Sequence, residues 1–198
     1  MTARRGLAIG AVAAAAIFFF LGLVFKDQGD FANNYLKEQL VEHGIAFTPV
    51  ANLMPAQQKV PCMVKNAGKM LTTGKQAECY ARYQIGLDLP LVANGKTYFQ
   101  AHYNGYLSRV KAQQALKTAP NAPATEELLK AATQADRTAD DLLAGESMRG
   151  LLLTGYGFSV IGDKASQAGV VCFVLAPLML LVGIVLVLRP GKRPVAAA

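Results

Sequence analysis

Two long uncharged runs bracket the chain, residues 6–25 and 167–188. Roughly 20 consecutive apolar residues suffice for one helical crossing of a bilayer, so each run predicts a transmembrane helix. The first is read as a retained anchor, not a cleaved signal. The run is long, and Phe25-Lys26-Asp27-Gln28 follows where a small-x-small cleavage site would stand. Gly6, Gly10 and Ala14 form a small-xxx-small row on it. Such rows let helices approach closely in lipid, although alanine-rich filler gives the same pattern.

Between the runs, apolar positions recur at helical spacing, with no strand-type alternation of useful length. Residues 27–43 predict a helix continuing from the first run, carrying Phe31, Tyr35 and Leu40 and ending at a Gly44 C-cap. Residues 45–61 hold three prolines and predict a loop with short turns, followed by a helix over 63–72. Thr73-x-x-Gln76 has capping-box spacing and predicts another helix from Lys75. Asn94-Gly95 marks a turn, and Thr97-x-x-Gln100 repeats the capping-box spacing. The helix behind it places Phe99, Tyr103, Tyr106, Leu107 and Val110 on one stripe and ends before Pro120. TAPNAPA, residues 118–124, predicts a linker. Thr125 with Glu126 and Glu127 starts a further helix, with both acids at its positive end, and Thr138-x-x-Asp141 starts one more. The expectation is an all-α fold in which the two transmembrane helices flank a small helical domain, residues 26–166.

Charge fixes the expected orientation. The chain carries a net +7, yet residues 30–165 hold 14 Lys/Arg against 12 Asp/Glu. The remaining excess comes from Arg4, Arg5, Lys26, Arg189, Lys192 and Arg193, less Asp27, all beside the apolar runs. Basic residues mark the cytoplasmic side of a membrane and meet anionic headgroups. Residues 1–5 and the basic tail 189–198 are therefore expected inside, and residues 26–166 outside the cytoplasm. Lys26 opposes that rule, and Asp27 is expected to offset it. A basic stripe with interleaved aromatics, the mark of a nucleic-acid surface, is absent, so the expected partners are the lipid bilayer and a membrane or envelope protein, without nucleic acid.

The topology also assigns the cysteines. Cys172 lies in the second run and reads as a packed apolar residue. Cys62 and Cys79 match no Cys-x-x-Cys redox or zinc pattern, but they fall in the compartment expected to be oxidising, which predicts a disulfide between them. Deep in an ideal hairpin turning at Gly74, the two would be offset along the axis by about 8 Å. The bond therefore requires Cys62 near a helix start, after Pro61, or helices that cross obliquely.

No catalytic constellation emerges. The chain has two histidines, His43 and His102, and no G-x-S-x-G elbow, Walker A loop or G-x-G-x-x-G. Asp140–Asp141 is accounted for as acids in the first turn of a helix. No catalytic, metal or cofactor residue is assigned, and the chain is not expected to be an enzyme. One stretch calls for a role. Glu146 and Arg149 are spaced to pair on a helix, and GLLLTGYGFSVIG, residues 150–162, is apolar but too short to span a membrane. Glu146, Arg149, Leu152, Tyr156 and Phe158 are candidates for docking at the outer membrane boundary or on a partner, against the plainer reading of a core helix entering the bilayer. The glycines at 150, 155, 157 and 162 are read as points of bending or close packing.

GESMRGLLLTGYGFSVIG before a terminal apolar helix resembles a group of actinobacterial two-pass membrane proteins of unknown function. The resemblance extends to the short basic N-terminus, the first helix and YLKEQLVEHGIAFTP. The group often carries the label of aromatic ring-opening dioxygenase. That activity is not carried over, because non-haem iron in such enzymes needs about two His and one carboxylate, and this chain holds two histidines in all. The resemblance implies membrane topology and envelope location.

The functional expectation is a non-enzymatic accessory or scaffold subunit of the cell envelope. A receptor or carrier for a small apolar ligand or lipid is the alternative, favoured if Phe99, Tyr103 and Tyr106 line a cavity. An enzyme built on His102 ranks below both.

Overall fold

The structure is a computed structural model that describes residues 2–188. The basic tail at 189–198, with Arg189, Lys192 and Arg193, lies outside the described residues. The described residues form seven α-helices in order: α1 Thr2–Glu42, α2 Pro55–Gln58, α3 Pro61–Asn66, α4 Gly74–Cys79, α5 Gly86–Val92, α6 Tyr98–Thr118 and α7 Pro123–Leu188. A π-turn, Tyr80–Ile85, joins α4 to α5, closed by Gly86 N–H donating to the Ala81 carbonyl. No strand forms among the described residues, and one antiparallel bridge links Ala46 to Met70. The fold is all-α, as the spacing predicted.

Helix α1 runs through the apolar run and the predicted 27–43 helix without a break and stops before Gly44, whose φ of +62° a side chain would oppose. Helix α3 ends at Asn66 instead of reaching residue 72. The backbone of 69–71 instead pairs with 45–47: Phe47 N–H donates to the Lys69 carbonyl at 2.9 Å and Leu71 N–H to the Ile45 carbonyl at 2.9 Å. Thr73 caps α4 by accepting from Gln76 N–H at 3.3 Å. The Gln76 amide reaches one residue further back than expected, taking Thr72 N–H at 2.8 Å. The Thr97–Gln100 capping box is complete.

The largest departure is α7. Its 66 residues run through the start expected at Thr138 and through all the glycines of 150–162. Thr138 caps nothing; its hydroxyl donates back to the Gln134 carbonyl at 3.0 Å, the bond such residues make inside a helix. Thr125 likewise lies within the first turn of α7, which begins at Pro123, and its hydroxyl donates to the Ala119 carbonyl at 2.7 Å.

The chain divides into two compact units, Met1–Tyr35 with Phe158–Ala198 and Leu36–Gly157. In the first, α1 and α7 pack along small residues repeated every seventh position. Ala8, Ala15, Gly22 and Gly29 are buried on α1, and Gly162, Gly169, Ala176 and Gly183 on α7. A Cβ on Gly169 would stand 3.0 Å from the Gly22 carbonyl, one on Gly183 3.4 Å from the Ala8 carbonyl, and one on Gly162 3.1 Å from the Gly29 carbonyl. Those pairs run in opposite directions along the two helices, so the packing is antiparallel. The Gly6–Gly10–Ala14 row is not this seam: nothing lies within 4 Å of a Cβ at Gly6 or Gly10. Lys26 pairs with Asp30 and not with Asp27. Asn33 Nδ2 donates to Asp163 Oδ1 at 2.9 Å.

The second unit holds the hydrophobic core. Met63, Leu71, Ala77 and Ala81 are fully buried, packed with Phe47, Leu53 and Ile85 and with Leu40, Leu142 and Leu152. Burial of one such Leu or Met is worth about 1.5–3 kcal/mol. A disulfide joins Cys62 to Cys79 with Cα atoms 6.2 Å apart. Cys62 is the second residue of α3, directly after Pro61, the position that the geometry demanded. Helices α6 and α7 form a hairpin in which Ala101, Gly105 and Ala112 face inward. A Cβ at Gly105 would stand 2.9 Å from Asp136 Oδ1, and Arg109 Nη1 donates to that oxygen at 2.6 Å.

Candidate functional site

The first candidate is a cleft of about 450 Å³ lined by Leu89, Pro90, Lys96, Phe99, Leu143 and Arg149, among others. It takes shape from local chemistry. Pro90 sits in α5, which ends at Val92. Asn94 (φ 49°) and Gly95 (φ 74°) then turn the chain, with Gly95 N–H on the Pro90 carbonyl at 2.7 Å. The capping box of Thr97 and Gln100 starts α6 at the rim. Leu89 presses on Gly145 of α7 so closely that a side chain at 145 would overlap it. On the same helix face, Arg149 lies beside Gly86, where a Cβ would be 3.8 Å from its guanidinium carbon.

Arg149 and Glu146 do pair, at 3.5 Å, with side chains 38% and 49% exposed. An ion pair that exposed contributes little to stability. Arg149 Nε, by contrast, is shut off from solvent and has no acceptor among the described residues.

A second cleft, of about 590 Å³, lies beside the disulfide and is lined by Lys65, Lys75, Glu78, Arg82 and Tyr83, among others. Its charges are largely matched: Glu78 accepts from Lys75 at 3.5 Å and from Arg82 at 3.2 Å. Lys75 Nζ also donates to the Tyr156 hydroxyl at 3.0 Å and stands 4.7 Å from that ring's centre. The hydroxyl bond holds the Lys75 pKa above its ordinary value.

The residues expected to dock are thus divided. Glu146 and Arg149 line the first cleft. Leu152, 6% exposed, belongs to the core and presents no docking face. Tyr156 is engaged by Lys75. Phe158, 56% exposed, falls in the other unit. The stripe of α6 forms neither a core nor an enclosed cavity: Phe99, Tyr103 and Tyr106 are 79%, 61% and 53% exposed. His102 is exposed, its ring 5.7 Å from that of Tyr98, and His43 is exposed just beyond the end of α1. Asp140 and Asp141 are exposed in the middle of α7, not in a first turn. No group of three or more His, Cys, Asp or Glu able to hold a metal occurs among the described residues.

Sequence reasoning missed a buried polar bridge. Gln57, 1% exposed, donates to Asp88 Oδ1 at 3.0 Å, and Gln84 donates to Asp88 Oδ2 at 3.0 Å. No local pattern marks it, because Gln57 lies 31 residues before Asp88 and meets it only through the fold. No family model, curated protein or solved structure matches this sequence.

Proposed function

We propose that this chain is an integral membrane protein of the cell envelope, a non-enzymatic accessory or scaffold subunit. It crosses the bilayer at residues 6–25 and 167–188, keeps both termini in the cytoplasm and presents residues 26–166 outside for a membrane or envelope partner. The observation that carries membrane insertion is exposure. The most apolar windows of α1 and α7 have mean hydropathies of 2.6 and 3.1, yet only 17% of each is buried. A soluble protein's core helix would be mostly covered. Ile9, Phe20, Val174 and Leu181 are instead each more than half exposed, an arrangement that lipid accommodates and water opposes.

Two features support the orientation. Arg4 and Arg5 precede the first run, and Arg189, Lys192 and Arg193 follow the second. The Cys62–Cys79 disulfide needs an oxidising compartment, which the extracytoplasmic side supplies. A reporter active only outside the cytoplasm tests the reading. It should work when inserted in TAPNAPA, residues 118–124, and fail at the C-terminus. The reverse pattern would invert the topology and with it the proposed role.

A further inference from the structure

We infer that the cleft at the start of α6 binds the charged end of an anionic amphiphile, a fatty carboxylate or a lipid phosphate. Arg149 and Lys96 receive the anion, and Leu89, Pro90, Phe99 and Leu143 lie along the chain. The inference concerns the unit Leu36–Gly157 alone and stands or falls separately from the direction in which the chain crosses a membrane.

The lining combines two chemistries. Its wall is mainly apolar, and at about 450 Å³ it falls within the size range of small-molecule sites. Set into that wall are two cations with unused capacity. A guanidinium carries five N–H donors. Arg149's ion-pair partner among the described residues is Glu146 at 3.5 Å, well beyond the roughly 2.7–2.9 Å of a strong charged hydrogen bond. Its Nε is shut off from solvent, so an anion in the cleft would be met by the Nη groups. Lys96 is exposed and forms no ion pair among the described residues.

Charge distribution points the same way. From Leu89 to Thr125 the sequence contains no acidic residue, and Asp88 of α5 is held by Gln57 and Gln84 away from the cleft lining, so the part of α5 and α6 that lines the cleft offers positive charge alone. The N-terminal end of the 21-residue α6, Thr97 to Phe99, lines the cleft, and the positive end of its dipole adds to it. Glu146 is the opposing charge, and its weak hold on Arg149 leaves the guanidinium available. An inorganic anion would leave the apolar wall wet, and a hydrocarbon would leave the cations unused. An amphiphilic anion satisfies both.

The test uses the full chain reconstituted in phosphatidylcholine vesicles with a trace of diazirine-bearing palmitate or, separately, of a diazirine-bearing lysophosphatidylglycerol. After irradiation, labelled peptides are mapped. Label is expected in peptides covering 86–99 and 142–149, in addition to any in the two apolar runs, and the two probes tell a carboxylate head from a phosphate head. Arg149→Gln should lower labelling of those peptides about tenfold, the worth of a charged hydrogen bond, and Lys96→Gln should lower it less. Glu146→Gln should raise it. The unlabelled amphiphile should compete. Any of four results would overturn the inference: label confined to the apolar runs, equal labelling by an uncharged diazirine alcohol of the same length, full competition by inorganic phosphate, or labelling indifferent to all three substitutions. If Arg149→Gln alters the circular dichroism spectrum, the opposite responses of Lys96→Gln and Glu146→Gln decide the matter.

Discussion

Gln57 ties a proline-rich loop to a helix 31 residues away with one amide. Its Oε1 accepts from Met54 N–H at 3.0 Å while its Nε2 donates to Asp88. Gln57→Ala strips both bonds at a buried position and leaves Gln84 as the side-chain donor to Asp88 among the described residues, so a loss of about 1–3 kcal/mol is expected in denaturant unfolding of the full chain. Tyr80 carries a pH dependence. Burial, and secondarily the charge of Asp88, raise its pKa above the ordinary 10.0. The folded form thus holds the proton more tightly than the unfolded chain does. The corresponding stability is present below 10.0 and fades as pH rises through the folded value. Lys75, also raised, acts with the same sign and is lost in the same alkaline window. Tyr80→Phe should therefore flatten part of the alkaline decline in melting temperature while leaving that of Lys75. Neither Gln57 nor Tyr80 could be picked out beforehand, since a residue's burial depends on partners distant in sequence.

Among the elements, the stapled pair α3 and α4 bears the clearest prediction. The bond between Cys62 and Cys79 closes a short loop, with a sequence separation of 17, and its removal in Cys62→Ser with Cys79→Ser should cost roughly 3 kcal/mol. Unfolding compared with and without reductant measures this; equal stability would show that the pair contributes nothing to the fold. Elements were legible where the deciding signal is local. The Thr97 box and the Asn94-Gly95 turn act through residues within one turn of each other, and both form. The Thr138 signal failed for a physical reason. A threonine hydroxyl satisfies itself as well by bonding back one turn as by capping, and no Gly or Pro lies between Ala124 and Ala144 to interrupt the helix. The α6 stripe failed differently. Its bulky residues suggested an inward face, but close approach to α7 at Gly105 is open to small side chains, so Ala101, Gly105 and Ala112 turn inward and the aromatics outward.

At the scale of the whole molecule, the seam between α1 and α7 escaped a reading of either helix alone. Alanine is abundant in the first run, so a spacing of four looked as meaningful as a spacing of seven. The seven-residue set gains meaning once Ala8, Ala15, Gly22 and Gly29 are set against Gly183, Ala176, Gly169 and Gly162. Small residues at such seams allow backbones to approach, which favours helix pairing in lipid. In a Cys172→Ala background, Ala15→Cys with Ala176→Cys should crosslink within one chain under mild oxidation, because the approaches of Gly183 to Ala8 and of Gly169 to Gly22 set position 176 opposite position 15. Adding Gly169→Leu should abolish that crosslink, because even a Cβ there would stand 3.0 Å from the Gly22 carbonyl. Crosslinking that survives the leucine would refute the seam. The seam also imposes an order on synthesis. Its two halves come from opposite ends of the chain, with the whole of Leu36–Gly157 between them. At about 5–20 residues per second, a ribosome takes roughly seven to thirty seconds to supply the second half after the first has emerged. The central unit has its full sequence in that interval, while α1 waits with its groove of glycine and alanine uncovered. The newborn first helix is therefore the stage at which a foreign helix has its best opportunity to intrude.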